Sequence, residues 1–442
     1  AAAMPSPIAE IAAFAIETRR ADMPKAARET LALSLLDWRA VALAGSEEPV
    51  SRIVRGMVAA EGGEAEAGVI GGAAPLPARA AALSNGAAGH ALDYDDTHFL
   101  HVGHPSAVVL PATLAVAEKI GADGAAFLEA ALLGAEAACR IGAWLGRAHY
   151  EAGFHQTATS GAFGAALAAA RLLGLDPDRA AHALGVAATR ASGLKSQFGT
   201  MGKPYNAGLA AANGVEAALL AAAGFVSRPD GLDCAQGFGP THAGAADAET
   251  ALAGLGRAYV FETVSHKLHA CCHGLHAALE AAGAARTAHG LTPDALETLE
   301  VRTNPRWMQV CAIPRPETGL EAKFSYALTL ALTLAGRDTA ALDTFCDAAC
   351  VDPSLTAARD RVIVIPDPAV ADTAAHLRFT LRDGRIVEAV HDLADPVPMA
   401  DRTARVRAKA AALLGQDRAA RAVADIAQID GGGPDALRTL TR

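Results

Sequence analysis

The stretch from His90 to Ser106 reads HALDYDDTHFLHVGHPS, and its seventeen residues hold four histidines (His90, His98, His101, His104) and three aspartates (Asp93, Asp95, Asp96). Imidazoles beside carboxylates can move protons near neutral pH, and they can also ligate metal ions. The cluster lies between an alanine-rich helical stretch and the apolar run 107–111. Buried charges are costly unless paired, so polar groups placed between core-forming segments mark a candidate site. A second reading is structural: Asp95 or Asp96 caps the next helix and the histidines decorate the surface. His98 and His101 have an HxxH spacing, which alone specifies a metal only weakly. From these residues alone the two readings stand level.

Four further clusters carry ionisable groups. His155, in GFHQTA, precedes an Ala/Gly-rich helix whose free N–H groups could receive a carboxylate. A histidine satisfied by the backbone is the alternative. Lys203 lies in GTMGKPYNAG, a glycine-rich loop ahead of an expected helix over 207–223. A lysine beside a helix N-terminus is unfavourable unless an anion joins it. The segment HKLHACCHGLH (266–276) holds four histidines, Lys267 and the adjacent Cys271 and Cys272. Adjacent cysteines rarely ligate one ion together, and buried thiols are the simpler reading. In ETGLEAKFS (317–325), Lys323 opens an amphipathic helix and is unremarkable by spacing. The chain has no GxSxG, P-loop or GxGxxG pattern. The residues point to general acid–base chemistry on an acidic small molecule.

These groups must be positioned by a chain of 442 residues, which is more than one average domain. Apolar residues make up 52% and aromatics 5%, so Ala, Leu and Val build the core, and alanine favours close helix packing. A net charge of −10 argues against nucleic-acid binding and leaves room for a local cationic pocket. Seven scattered cysteines without a CxxC pair suggest neither a disulfide framework nor a cysteine metal site, so a reducing cytoplasm is expected. The first helix carries Glu10, Glu17, Arg19 and Arg20, so no secretory leader is expected. The apolar stretches 207–226 and 327–335 are too interrupted or too short to cross a bilayer, so no membrane partner is expected.

Helical periodicity fills residues 6–260, with segments expected at 6–18, 24–44, 49–60, 77–90, 111–121, 124–146, 158–173, 177–193 and 207–223. Period-two alternation follows at 296–303 and 361–366, and at 376–381 and 385–390 around the hairpin signal Asp383-Gly384. The expected organisation is a helical domain over 4–264, an α+β domain over 265–395, and a tail over 396–442 that packs back on the first.

GHALDYDDTH with HPSAVVLPA (89–98 and 104–112), FHQTATSGAFGAALAAARLLGL (154–175), GTMGKPYNAGLAAANG (199–214), the K-x-x-x-C-C-x-x-x-H stretch 267–276 and EAKFS (321–325) resemble the MmgE/PrpD family over most of residues 6–415. The resemblance implies a mainly α protein: a large all-helical domain plus a smaller α+β lid domain, with the site between them. It also implies a homodimer with no metal or organic cofactor. Asp93, His104, His155, Lys203 and Lys267 carry over as catalytic residues, and Thr97 as substrate-binding. Asn206, Cys272, His276 and Tyr326 join the substrate-binding set. There are departures. Asn206 stands where many relatives have histidine, His273 replaces a basic residue, and Leu328 stands where a tyrosine is common, with Tyr326 two positions earlier. The spacing from Thr97 to His104 is one residue longer than in some relatives.

The implied activity is acid–base chemistry on an anionic di- or tricarboxylate, with 2-methylcitrate-type dehydration first. Epimerisation alpha to a carboxylate, as for iminodisuccinate, is second and cis-aconitate-type decarboxylation third. A non-catalytic polycarboxylate-binding protein is the alternative outside enzymes. In this scheme Lys203 and Lys267 polarise carboxylates, His155 or His104 moves the proton, Asp93 orients a histidine or holds a substrate hydroxyl, and Thr97 donates a supporting hydrogen bond.

Overall fold

Alanine and glycine at helical spacing give this chain helices that can approach one another closely. A computed structural model describes residues 6–442; Met4 and Pro5, where the first expected domain begins, lie outside the described residues. The chain is mainly helical, and its backbone divides into two units, one running to His266 and resuming at Leu414–Arg442, the other Lys267–Leu413. Among the described residues, no helix is long and apolar enough to cross a membrane.

The first unit contains α1 (Pro7–Glu17), α2 (Lys25–Gly45), α3 (Pro49–Glu61), α4 (Ala78–His90), α5 (Ser106–Ile120), α6 (Gly124–Glu151), α7 (Gln156–Leu172), α8 (Pro177–Arg190) and α9 (Gly202–Ala222). Side-chain caps start several of them: Ser6 accepts from the Ala9 amide at 3.2 Å, Asp123 from Ala126 at 2.8 Å and Asp176 from Arg179 at 2.9 Å. Small residues then set the spacing between helices. A Cβ at Gly86 of α4 would fall 2.8 Å from the Gly208 Cα of α9, and one at Gly164 of α7 would fall 2.5 Å from the Ala138 Cβ of α6. The α4–α9 contact places the end of α4, His90, beside the first turn of α9.

Three helices start earlier than the sequence indicates. Helix α9 opens at Gly202, so Lys203 sits in its first turn and not in a preceding loop. Helix α7 opens at Gln156. Helix α5 opens at Ser106 and carries Pro111 inside it. The cause at α5 is Asp96, whose carboxylate accepts from the Ser106 amide at 3.2 Å and from the Ser106 hydroxyl. The helix-cap reading therefore holds for Asp96. Helix α6 breaks where the sequence indicates, at Gly146 with φ 69° and ψ 178°, and a second helical stretch continues beyond this kink to Glu151.

Buried Arg140 and Glu136 of α6 hold the segment that follows. Arg140 donates to the carbonyls of Ala251 (2.8 Å), Ala253 (3.0 Å) and Ala258 (2.7 Å), and Glu136 accepts from the amides of Val260 (2.9 Å) and Phe261 (2.8 Å). Every charged edge of this ion pair has a partner, the condition under which a buried pair is tolerated.

In the second unit, β1 (Leu296–Thr303), β2 (Val362–Pro366), β3 (Ala374–Leu381) and β4 (Ile386–Asp392) form a mixed sheet in the order β2-β1-β3-β4, with β1 and β2 parallel. Alternation in β1 buries Leu299, Val301 and Thr303. Gly384, at φ 89°, closes the β3–β4 hairpin. The helix Met399–Leu414 belongs to this unit almost to its end, and Arg405 on it reaches Glu280 at 2.6 Å.

Two stability predictions follow from this packing. Gly86→Ala should destabilise by about 1–3 kcal/mol because its Cβ meets backbone, whereas Gly56→Ala, in open space on α3, should be neutral or stabilising; chemical denaturation compares them. Asp96 is fully buried, and burial, then repulsion from Asp37, pushes its carboxyl up to about 7 against the Ser106 hydrogen bond. A raised carboxyl favours the folded state below the unfolded value of about 4, and that contribution is lost as pH rises towards 7. The destabilisation caused by Asp96→Asn should accordingly shrink between about pH 4 and pH 7, by up to roughly 1.4 kcal/mol per pH unit. A pH-independent difference would contradict this.

Candidate functional site

The loop between α4 and α5 is tight. The Val102 amide donates to the His98 carbonyl at 2.9 Å, and two non-glycine residues take left-handed backbone, Asp93 at φ 50° and Val102 at φ 57°. Aspartate tolerates that region; a β-branched valine does so only under constraint from its surroundings. Gly103 lets the loop rest on the start of α7, since a Cβ there would lie 2.7 Å from the Thr157 amide. The Thr157 hydroxyl accepts from the His104 amide at 3.0 Å. From the other side, Thr97 and Ser265 form a two-bond backbone bridge at 2.9 and 2.7 Å, backed by the segment that Arg140 and Glu136 hold.

His98 and His101 are not surface residues, as the helix-cap reading had them. Both are buried. His98 Nε2 bonds the Val260 carbonyl at 2.7 Å while its Nδ1 accepts from the His101 amide at 3.3 Å, and His101 Nδ1 meets the Ser160 hydroxyl at 2.9 Å. Burial pushes His98 down to about 4 and His101 down to about 3, so both are neutral supports of the loop.

The centre of the cluster is Asp95, which the sequence reading left out of the site. Its carboxylate lies 2.9 and 3.0 Å from His90 Nδ1 and 3.1 Å from His104 Nδ1. The side chains of His90 and Asp95 are 0% exposed, and that of His104 is 11% exposed. Burial alone would raise the Asp95 carboxyl; the facing His104 and His90 rings outweigh it and hold the group well below the carboxylate range. An ionised Asp95 accepts the Nδ1–H of His90, and His104 Nδ1 approaches the same carboxylate at 3.1 Å without a hydrogen bond's geometry, an approach that favours a proton on that nitrogen. Neutral His104 then carries its proton on Nδ1 and leaves the Nε2 lone pair for proton transfer. Burial lowers the His104 pKa, with Asp95 acting in opposition.

His155 has the opposite tautomer. The Asn206 amide donates to its Nδ1 at 3.2 Å and to the Leu194 carbonyl at 3.5 Å, which fixes the amide orientation. Neutral His155 therefore presents an N–H at Nε2. Burial, then the charges of His90 and Lys203, depress it well below the ordinary histidine value. Its ring stacks on His90 with centroids 5.6 Å apart and meets Phe198 edge-on at 5.0 Å. Asn206, expected to touch substrate, thus sits on His155.

Lys203 Nζ lies 2.8 Å from Asp93 Oδ1 and 4.9 Å from the Phe198 ring centroid. His104 Nε2 is 3.6 Å from the same Asp93 oxygen, beyond hydrogen-bond reach. A cation in the first turn of α9 opposes the helix dipole, and Asp93 compensates. Asp93 pairs with Lys203, while Asp95 has the histidine-orienting position expected of Asp93. His90, Asp93, Asp95 and His104 offer ligand atoms all within 4.8 Å of one another, the set that could hold a metal, although Asp93 already faces the Lys203 ammonium.

The first unit therefore brings together Asp93, His104, His155, Lys203 and Asn206, with Thr97 on the adjoining bridge. Lys267, Cys272, His276 and Tyr326 belong to the second unit. There the Cys272 amide donates to the Lys323 carbonyl at 2.9 Å, and His276 Nε2 bonds the Cys271 carbonyl at 3.2 Å. Tyr326 is engaged internally: its hydroxyl bonds Thr303 Oγ1 at 2.8 Å and donates to the Gly274 carbonyl at 2.7 Å. The available signal for Asp95 was its place five residues after His90, the last residue of a helix.

Residues 9–251 match the model of the MmgE/PrpD N-terminal domain, and residues 269–429 match that of the MmgE/PrpD C-terminal domain. A cis-aconitate decarboxylase of Aspergillus terreus is 35% identical over 288 residues, 62% of this chain and 59% of that protein. A cis-aconitate decarboxylase-like protein of Aspergillus oryzae is 33% identical over 291 residues, 62% of this chain and 60% of the relative. The human cis-aconitate decarboxylase is 35% identical over 173 residues, 38% of this chain and 36% of its own length. The chain thus spans less than two thirds of the curated relatives it matches. With both domain models matched in order along the sequence, the chain belongs to the MmgE/PrpD family.

Proposed function

We propose that this protein is an acid–base lyase that breaks a bond next to a carboxylate of a small di- or tricarboxylate. The observation that carries the reading is the pairing of one proton-accepting nitrogen with one cation: His104 Nε2, set by Asp95, lies 3.6 Å from the carboxylate oxygen that Lys203 holds at 2.8 Å. Breaking such a bond develops negative charge, and a fixed ammonium is the strongest lever on it. Lys203 binds a substrate carboxylate, His104 transfers the proton, and the Nε2–H of His155 donates to developing negative charge. Asp93 holds Lys203 in place before substrate arrives. For the second unit the proposal rests on the family resemblance: a lid carrying Lys267 as a second cation, in a homodimer that acts in the cytoplasm.

Decarboxylation of an aconitate-like tricarboxylate is the first reading, because the Aspergillus and human relatives are named for it. Dehydration of a hydroxy tricarboxylate, the sequence's first choice, is the second. The arrangement of one base and one donor favours it, since a base must take the proton and an acid must protonate the leaving hydroxyl. Epimerisation needs a base on each face of the carbon, and the His155 Nδ1 lone pair is already engaged by Asn206.

Incubation with cis-aconitate, 2-methylcitrate and iminodisuccinate in D₂O, followed by NMR, tests the reading. A new alkene product with release of CO₂ is expected from cis-aconitate. Alkene formation by water loss without CO₂ would select dehydration. Deuterium at an alpha carbon without net loss of substrate would contradict the lyase reading, and saturable binding without turnover would contradict catalysis.

Lys203→Ala and His104→Ala should each reduce kcat/KM at least ~10²-fold, and Asp95→Asn should reduce kcat by about 10²–10⁴-fold, with folding retained. The acid limb of kcat/KM should lie below the ordinary histidine value of about 6.5, since His104 must be neutral to act and its pKa is lowered. Asp95→Asn removes the interaction that opposes that lowering, so the limb should move further down. An unmoved limb would separate Asp95 from the proton-transfer step.

A further inference from the structure

Within the second unit, a cleft of about 380 Å³ opens between segments of chain distant in sequence. Met308 and Ile313 form one wall, the first turn of the helix Tyr326–Leu334 another, and Val362 with Val364 a third. The two valines are two residues apart and so share one face of β2, an edge strand of the sheet. Backbone bonds fix the first two walls together. The Ile313 amide donates to the Phe324 carbonyl at 3.0 Å, and the Tyr326 amide donates to the Cys311 carbonyl at 3.3 Å. The Tyr326 hydroxyl is committed to Thr303 and Gly274, so its ring is what this residue adds to the wall. The volume falls within the range of small-molecule sites, roughly 300–1,000 Å³.

Three charged residues line the same cleft, Arg315, Arg359 and Asp360. The Arg359 side chain, at the end of the helix Pro353–Arg359, is 11% exposed, and that of Arg315 is 71% exposed. Both guanidinium groups meet one oxygen, Asp360 Oδ1. Arg359 reaches it through Nε and Nη2, each at 2.9 Å, and Arg315 through Nε at 3.4 Å. Two cations against one carboxylate leave a surplus of one positive charge among the lining residues. A guanidinium carries five N–H donors in a planar fork, and a single carboxylate oxygen occupies few of them. The cleft thus joins apolar walls to unspent cationic donors.

We propose that this cleft binds a small aliphatic monocarboxylate. The carboxylate takes the fork donors of Arg315 and Arg359 that Asp360 leaves, and the aliphatic chain lies against Ile313, Val362 and Val364. One surplus positive charge matches one carboxylate. A di- or tricarboxylate would carry its further charges against apolar walls without partners, which is costly. An alkylammonium ion would meet charge of its own sign. Binding here is independent of the proposed lyase chemistry, whose cation Lys203 belongs to the first unit.

The test is a titration of the full-length protein, ¹³C-labelled at its methionine methyl groups, with hexanoate near pH 7, followed by NMR. Met308 lines the cleft, whereas Met201 lies two residues from Lys203. Met308→Leu and Met201→Leu assign the two signals. A saturable shift of Met308 with Met201 unmoved is expected. Acetate, which lacks the chain, and hexylamine, which lacks the anion, should leave Met308 unmoved at concentrations where hexanoate saturates. Arg315→Ala removes an exposed cation and should weaken hexanoate binding by roughly two- to fivefold. Asp360→Asn raises the surplus charge to two and should tighten binding by a similar factor, whereas weaker binding in that variant would overturn the charge match. No shift at Met308, a shift confined to Met201, or an equal response to hexylamine would overturn the proposal.

Discussion

A carboxylate removed from water needs compensation, and in this protein the compensation organises the site. Asp95 is wholly buried and stays ionised because two imidazole Nδ1 groups face it, His90 at 2.9 Å and His104 at 3.1 Å. Either ring alone would leave much of the desolvation unopposed. With both present, the carboxylate fixes the His90 ring by a hydrogen bond and, by its charge 3.1 Å away, favours the Nδ1–H tautomer of His104. The functional consequence lies at the far side of the His104 ring, where Nε2 is left without a proton near the cation of Lys203.

Holding that triad in place requires precision in the surrounding helices, and small side chains supply it. Gly86 and Gly208 bring α4 against α9, which carries His90 on one helix towards Lys203 and Asn206 on the other. Gly103 allows the histidine loop to touch the start of α7, where Thr157 accepts the His104 amide. On the opposite side, the buried Arg140–Glu136 pair fixes residues 251–261, and through Val260 and Ser265 these support His98 and Thr97. The first unit thus positions its polar cluster by backbone approach more than by large apolar side chains, in keeping with a chain of 5% aromatics.

Much of this was legible in the residues. Helical and alternating periodicities located α1 to α9 and all four strands of the sheet, because burial of one face imposes those periods directly. The motif residues Asp93, His104, His155 and Lys203 do lie in one cluster. What the pattern could not separate was the division of labour within DYDD. Asp93, Asp95 and Asp96 are chemically alike and nearly adjacent, yet they pair with a lysine, hold two histidines and cap a helix, respectively. Those differences arise from contacts with α9, α4 and α5, which are distant in sequence. The start of α9 was also misplaced, since Gly202 and Pro204 read as loop residues, although a proline in the first turn loses no helical hydrogen bond. His98 and His101 read as surface groups because their partners, Val260 and Ser160, are 162 and 59 residues away.

The tautomer of His104 tests the central claim most directly. In protein labelled with ¹⁵N in its histidine rings, long-range ¹H–¹⁵N correlation near pH 7, assigned with His104→Gln, reports which nitrogen is protonated. The expected result is a neutral His104 with its proton on Nδ1 and an unprotonated Nε2, and loss of that preference in Asp95→Asn. A His104 protonated on Nε2, or on both nitrogens, at that pH would contradict the account.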